Sequence, residues 1–283
     1  MKKIKLVLLG TPNFAATIFE KLIEDFDVQA IVSQPDRPAN RGYKIEPTAT
    51  KLLAQKHNIN VYQPEKIIEI AEILEELKPD FIVSAAFGQY VPLKILNIPL
   101  HGSINVHGSL LPKYRGAAPI QHSLINNDTE TGISLIYMVK EMDAGDIIAT
   151  AKINILPEDT AKELFTKLAN LAKENISKWI YDLYYQKVKP KMQDHSQATL
   201  SPKIDKSFAE IFLTDSCEIA LGKIRALNDN PGAFVILDNK RIKIYRASLK
   251  LIKNALILEL ADGKIYCYEY QYESKKRVYV AFK

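Results

Sequence analysis

The first half of the chain repeats one pattern, a short apolar run followed by an amphipathic stretch, and few architectures accept it. Residues 4–9, 28–33, 61–62, 81–85, 103–107 and 132–138 read as strands, while 14–25, 48–57, 67–77 and 118–126 carry apolar side chains at helical spacing. Strands buried on both faces and separated by helices give a Rossmann-like parallel sheet. A long amphipathic helix follows over 161–185, with Leu164, Leu168, Leu171 and Ile176 on one stripe. The stretch 188–205 then loses periodicity and collects Lys, Pro, Gln and Ser, which reads as a linker. After a short helix over 217–227 the period changes to two, giving five short strands at 234–237, 242–246, 255–259, 266–270 and 278–282. Five such strands separated by turns predict a small OB-like β-barrel. The expected division is therefore 1–187, a linker at 188–205, and 206–283.

Composition supports a packed core: 47% of the 283 residues are hydrophobic and 25% are charged, which argues against disorder and fibrous classes. Cys217 and Cys267 cannot build a disulfide framework, and they suit a reducing, cytoplasmic compartment. Lys2 and Lys3 before 6–9 imitate a signal peptide, but Gly10, Thr11, Pro12 and Asn13 end the apolar run too early. Nothing approaches the roughly 18 apolar residues of a membrane helix, so no membrane partner is expected. Charge is uneven. Residues 189–283 hold 17 Lys and Arg against 11 Asp and Glu, an excess of six, whereas 1–188 hold 21 against 22. The basic excess of the last third points to a polyanion.

Dinucleotide binding is disfavoured, because the turn after the first strand, Gly10-Thr11-Pro12, lacks the further glycines that let a pyrophosphate approach a helix. The five histidines are scattered without metal-ligand spacing, so no metal is expected. Ser103-Ile104-Asn105-Val106-His107 stands out instead. In a strand, Ser103, Asn105 and His107 share one face near the carboxyl end, where parallel sheets bind ligands. Asn donates to a developing oxyanion, and His accepts a proton near neutral pH. Asp143, in the loop Met142-Asp143-Ala144-Gly145-Asp146, supplies a carboxylate that can orient the imidazole. Two loops interrupt the strand–helix rhythm: a polar one over 36–47, and 109–117, where Leu110 and Leu111 are expected as an exposed apolar shelf.

The segment SINVHGSLLPKYRGAAPIQ, with TETG at 129–132 and MDAGD at 142–146, resembles the folate-dependent formyltransferases. That resemblance implies transfer of a formyl group from 10-formyltetrahydrofolate to an amine, with Asn105, His107 and Asp143 as the catalytic set. It also implies a tetrahydrofolate site formed by Ala86, Phe87, Gly88, Gln89, Tyr90 and Val91, by Ser109, Leu110, Leu111 and Pro112, and by Asp143. LLGTPNFA at 8–15, SQPDRPANRGYKIEPTATKLLA at 33–54, ATLSPKI in the linker and KIRALNDNPGAF at 223–234 are similar to the branch whose acceptor is methionyl-initiator tRNA. There the loop over 36–47 would reach the tRNA end through Arg41 and Lys44. Lys203, Lys206, Lys223 and Arg225, with Lys240, Arg241 and Lys243, are candidates for phosphate contacts. A monomer is expected. The competing readings are an N-formyltransferase acting on an amino-sugar nucleotide, a formyltetrahydrofolate hydrolase, and a catalytically silent tRNA-binding protein on the same scaffold.

Overall fold

The computed structural model describes residues 3–39 and 44–281. Compactness divides the chain into two units that interleave in sequence: 1–115, 132–152 and 166–199 form the first, and 116–131, 153–165 and 200–283 the second.

The first unit is built on β1 (Lys5–Gly10), α1 (Asn13–Asp25), β2 (Asp27–Val32), β3 (Arg37–Ala39), β4 (Lys44–Glu46), α2 (Ala49–Lys56), β5 (Asn60–Tyr62), α3 (Ala71–Leu77), β6 (Phe81–Ala85), α4 (Leu93–Leu96) and β7 (Ser103–His107). The connection after β7 carries α5 (Pro119–Ile125), which is counted in the second unit, and the chain then returns as β8 (Glu130–Tyr137), β9 (Ile147–Asn154) and α6 (Ala161–Tyr184). The sheet order is β5-β2-β1-β6-β7-β8-β9. From β5 to β7 the strands are parallel, whereas β8 runs antiparallel to β7, pairing Ile104 with Tyr137 and His107 with Ser134. Leu6, Val7, Leu8 and Leu9 have no exposed surface. A strand covered on both faces needs such an uninterrupted apolar run. Replacing any one of the three leucines by Ala costs about 2–5 kcal/mol. Gly10 lets α1 close on the strand end, since a Cβ there would lie 2.6 Å from that of Ala15 and 2.7 Å from the Phe19 ring.

Chain order reverses around β1, with β2 on one side and β6 on the other, so the carboxyl ends of β1 and β6 flank the crevice where open α/β sheets take ligands. Side chains brace that edge. The Thr50 hydroxyl donates to the Gly10 carbonyl at 2.7 Å, and the Thr11 hydroxyl to the Phe87 carbonyl at 3.0 Å. Thr48 caps α2 by accepting from the Lys51 amide at 3.2 Å. Asp36 pairs with Lys51 and accepts from Gln63 at 2.7 Å. Burial opposes its ionised form, but these partners outweigh that and hold the carboxyl below its usual range. The loop expected over 36–47 contains the β3–β4 hairpin, with Arg37 paired to Glu46 and Pro38 to Ile45.

In the second unit, α7 (Cys217–Ala226) precedes β10 (Ala233–Leu237), β11 (Lys240–Ser248), β12 (Leu256–Leu260), β13 (Gly263–Tyr272) and β14 (Val278–Tyr279). The strands are antiparallel in the order β10-β11-β13-β12, with β14 on β13. Register shifts on both sides of Arg246 interrupt the β11–β13 ladder, and such bulges bend a sheet. The barrel expected from the sequence is realised as this curled half-barrel. Ile244, Ile265 and Cys267 fill its buried face without exposure. Burial pushes the Cys267 thiol up to about 12, and both cysteines are free. No helix among the described residues is long and apolar enough to cross a membrane.

Candidate active site

Strand alternation places Asn105 and His107 on one face of β7, while Ile104 and Val106, 0% and 3% exposed, pack on the other. The loop over 138–146, between β8 and β9, brings Asp143 to both. Asn105 Nδ2 donates to Asp143 Oδ1 at 3.4 Å, and His107 Nδ1 lies 3.5 Å from Asp143 Oδ2. The other imidazole nitrogen, Nε2, lies 2.8 Å from the Tyr114 carbonyl. A carbonyl can only accept, so Nε2 carries the proton in neutral His107 and Nδ1 presents its lone pair on the side of Asp143. Exposure of 6% and 13% for the His107 and Asp143 side chains keeps the pair largely out of water.

The Asp143 loop is tightly made. Asp143 itself adopts a left-handed backbone, φ 53°. Gly145 is required two residues later, because a Cβ there would sit 2.0 Å from the Tyr137 carbonyl oxygen. Tyr137 closes β8 with its amide bonded to the Asp146 carbonyl at 3.0 Å. Burial first, and Asp146 second, push its phenol up and keep it protonated. Gln193, 2% exposed, donates through Nε2 to the carbonyls of Asp143 at 2.8 Å and Gly145 at 2.7 Å. Arg115 donates to its Oε1 through Nε at 3.1 Å and Nη2 at 2.7 Å. The Tyr114 carbonyl, Arg115 and Gln193 are absent from the residues picked from sequence.

The remaining expectations divide. Around 86–91, Ala86 (φ 46°) and Gly88 (φ 82°) turn the backbone at the end of β6, with Ala86, Gly88 and Tyr90 exposed. Phe87 and Val91 send their side chains into the core, at 2% and 6% exposure. The Gln89 amide is occupied by the Ile67 amide and the Pro64 carbonyl. The apolar shelf expected of Leu110 and Leu111 is half present: Leu110 is half-buried, but Leu111 is buried at 6% because its strand-flanking backbone bonds to the Ser134 hydroxyl. Ser109 is fully buried and donates to the Lys113 carbonyl at 2.6 Å, with Pro112 half-buried between them. Arg41 lies outside the described residues, and only the backbone of Lys44 is described, opening β4.

Lys203 and Lys206 are exposed. Lys223 and Arg225 are not available for phosphate in the way expected. The Lys223 ammonium is buried, donating to Asp215 and to the Glu210 carbonyl at 2.8 Å each, and it lies 5.5 and 5.4 Å from the Phe208 and Phe212 rings. Arg225 donates to the carbonyls of Asp159 and Leu156 at 2.9 Å each. Both cations are engaged inside the second unit, Lys223 on the buried side of the helix and half-buried Arg225 through the carbonyls of Leu156 and Asp159. Among the described residues no cluster of His, Cys, Asp or Glu could hold a metal ion.

A sheet of this topology, with Asn105 and His107 on the face of one strand and Asp143 reaching them from a loop, is an arrangement that suits group transfer, and the curled antiparallel sheet forms a separate accessory unit. The chain belongs to the formyl transferase family: the family's description "Formyl transferase" matches residues 2–180, and "Formyl transferase, C-terminal domain" matches 203–281. It is 51% identical over 280 residues to the methionyl-tRNA formyltransferase of Mycoplasmopsis pulmonis, covering 99% of this chain and 97% of that one. The methionyl-tRNA formyltransferase of Lactobacillus gasseri is 44% identical over 245 residues, 85% of this chain and 78% of that one. Among solved structures, the N-formyltransferase of Helicobacter canadensis, in complex with folinic acid and dTDP-3-aminofucose, superposes with a TM-score of 0.73. It shares 21% identity and covers 93% of this chain and 98% of its own, a likeness of fold.

Proposed function

We propose that this chain transfers the formyl group of 10-formyltetrahydrofolate to the free α-amino group of methionyl-initiator tRNA. The observation that carries the chemistry is the convergence of Asn105, His107 and Asp143 at 3.4 and 3.5 Å. The acceptor is supported by the relatives at 51% and 44% identity, both named for methionyl-tRNA, against 21% for the sugar-bound neighbour.

An α-amino group has a pKa of about 7.7–8.0, so the attacking amine must shed a proton. His107 takes it at Nδ1, since Nε2–H is held by the Tyr114 carbonyl. The Asp143 carboxylate is then opposite an N–H cation instead of a lone pair, so this contact strengthens as the reaction proceeds, which is the condition for catalysis. Asn105 has two amide hydrogens. One points to Asp143, and the second is assigned to the oxygen that becomes anionic when the amine adds to the formyl carbon. When the tetrahedral adduct collapses, the bond from the formyl carbon to the folate nitrogen breaks and that nitrogen leaves with the proton His107 took, which returns His107 to its neutral form. The turn over 86–91, at the crevice end of β6, and half-buried Leu110 are where its ring system is assigned. Backbone groups in a left-handed turn suit a flat heterocycle with a donor–acceptor edge. Lys203 and Lys206 are assigned to tRNA phosphate, and the domain division 1–187, 188–205 and 206–283, a monomeric state and a cytoplasmic location belong to the same proposal.

Purified full-length protein, given 10-formyltetrahydrofolate and charged initiator tRNA, is expected to yield formylmethionyl-tRNA in a single assay. Turnover of a dTDP-amino sugar in place of the tRNA, with no formylmethionine formed, would overturn the assignment.

A further inference from the structure

We propose that Gln193 is a positioning residue for the reaction: its buried amide sets the backbone of the Asp143 loop, and through it the placement of the carboxylate against His107. The inference rests on the assignment of Asn105, His107 and Asp143 made above.

Four contacts meet on one side-chain amide. Nε2 donates to the carbonyls of Asp143 and Gly145 at 2.8 and 2.7 Å, and Oε1 accepts from Arg115 Nε and Nη2 at 3.1 and 2.7 Å. Carbonyls only accept and guanidinium only donates, so just one orientation of the amide satisfies all four. No other side chain of that length does so. A Glu would set a carboxylate against two carbonyls, and a Lys would meet the Arg115 cation. The two carbonyls that are gripped bracket the turn in which Asp143 holds φ 53°. An αL backbone at a non-glycine residue persists only where its surroundings over-determine it. Arg115 is itself held from beyond, its Nη2 lying 3.1 Å from His195 Nδ1. The segment carrying Gln193 is fastened two residues earlier, where Lys191 and Ile147 exchange both backbone bonds at 2.8 Å. The stretch read from sequence as a linker therefore delivers a buried amide to the loop that bears the carboxylate.

The test is a double-mutant cycle on the full-length enzyme, with Gln193→Ala, Gln193→Glu, Asp143→Asn and the double variant Asp143→Asn/Gln193→Ala, measuring kcat, KM for the formyl donor and the thermal midpoint. A displacement of about 1 Å in a reacting group costs up to roughly a hundredfold. Gln193→Ala is expected to lose about ten- to a hundredfold in kcat with KM changed less than about threefold. Gln193→Glu keeps the Arg115 partner but not the two donations, and it should lose kcat while holding its thermal midpoint closer to that of the parent. In the Asp143→Asn background the same Gln193→Ala change should cost less than about twofold, because its effect passes through the missing carboxylate. A full multiplicative loss in that background, or both Gln193 variants within about twofold of the parent in kcat, overturns the positioning role. Asp143→Asn at parental turnover would instead overturn the assignment of the site itself, and the inference with it.

Discussion

At the scale of single residues, the chemistry of His107 is decided by a neighbour that has no side-chain chemistry at all. The Tyr114 carbonyl fixes which nitrogen is protonated, so nitrogen-detected NMR of the labelled protein is expected to show the Nε2–H tautomer for His107. Removing an oxyanion donor typically costs ~2.7–4 kcal/mol, so Asn105→Ala should lower kcat at least about a hundredfold in steady-state formylation, with the circular-dichroism spectrum unchanged. His107→Ala should fall as far, for loss of the proton acceptor. Gly145→Ala, which adds one carbon 2.0 Å from a carbonyl oxygen, is expected to forfeit turnover although it touches no reacting group. Asn105 and His107 were legible in the sequence because polar residues in an apolar strand need a reason to be there, and alternation says which face they share, whereas Asp143, in a loop, was legible through the resemblance of the segment Met142–Asp146 to a family motif. Tyr114 and Gln193 were not legible: a backbone carbonyl leaves no trace in residue type, and a glutamine in an irregular polar stretch looks solvated until the fold buries it. Lys223 failed in the opposite direction, since its charge was legible but its pairing with Asp215 was not.

Elements were most readable where burial is uniform. β6 and β7 begin and end where the apolar runs do, and the Thr48 cap marks the start of α2. β9 was overlooked because one of its faces is wet, giving Ile147–Asn154 a weak alternation that follows a turn. The antiparallel sense of β8 could not be read, because strand direction depends on where the intervening helix packs, not on strand composition. The start of α6 offers a test at this scale. Glu163 accepts from the Thr160 amide at 3.0 Å, the reach-back half of a capping box, and is also bonded to the Thr160 hydroxyl and to Arg246. Burial alone would raise its pKa, but these bonds outweigh it and hold the carboxyl below the usual glutamate range. A depressed folded-state value means stability that is present above the ordinary pKa of about 4.3 and is lost as pH falls through the folded value. The parent's thermal midpoint should therefore drop more steeply than that of Glu163→Gln on acidification below about pH 5, with the two curves converging at the acid end. Parallel curves in calorimetry would refute this account of the cap.

At the scale of the whole molecule, charge and chain path give different lessons. The excess of six positive charges in 189–283 was visible from residue counts, but only the structure sorts those cations into structural and exposed ones. Lys203→Glu with Lys206→Glu is expected to weaken tRNA binding and to flatten the plot of log affinity against log salt by about 1–2 units in filter-binding titrations. Lys223→Ala should lower the thermal midpoint instead, because it strands Asp215 and the Glu210 carbonyl. The path of the chain has a consequence in time. The second unit draws on 116–131 and 153–165, which leave the ribosome well before residues 200–283 that complete it. α5 and the start of α6 must therefore wait, partly unpacked, for about a third of the protein to be made.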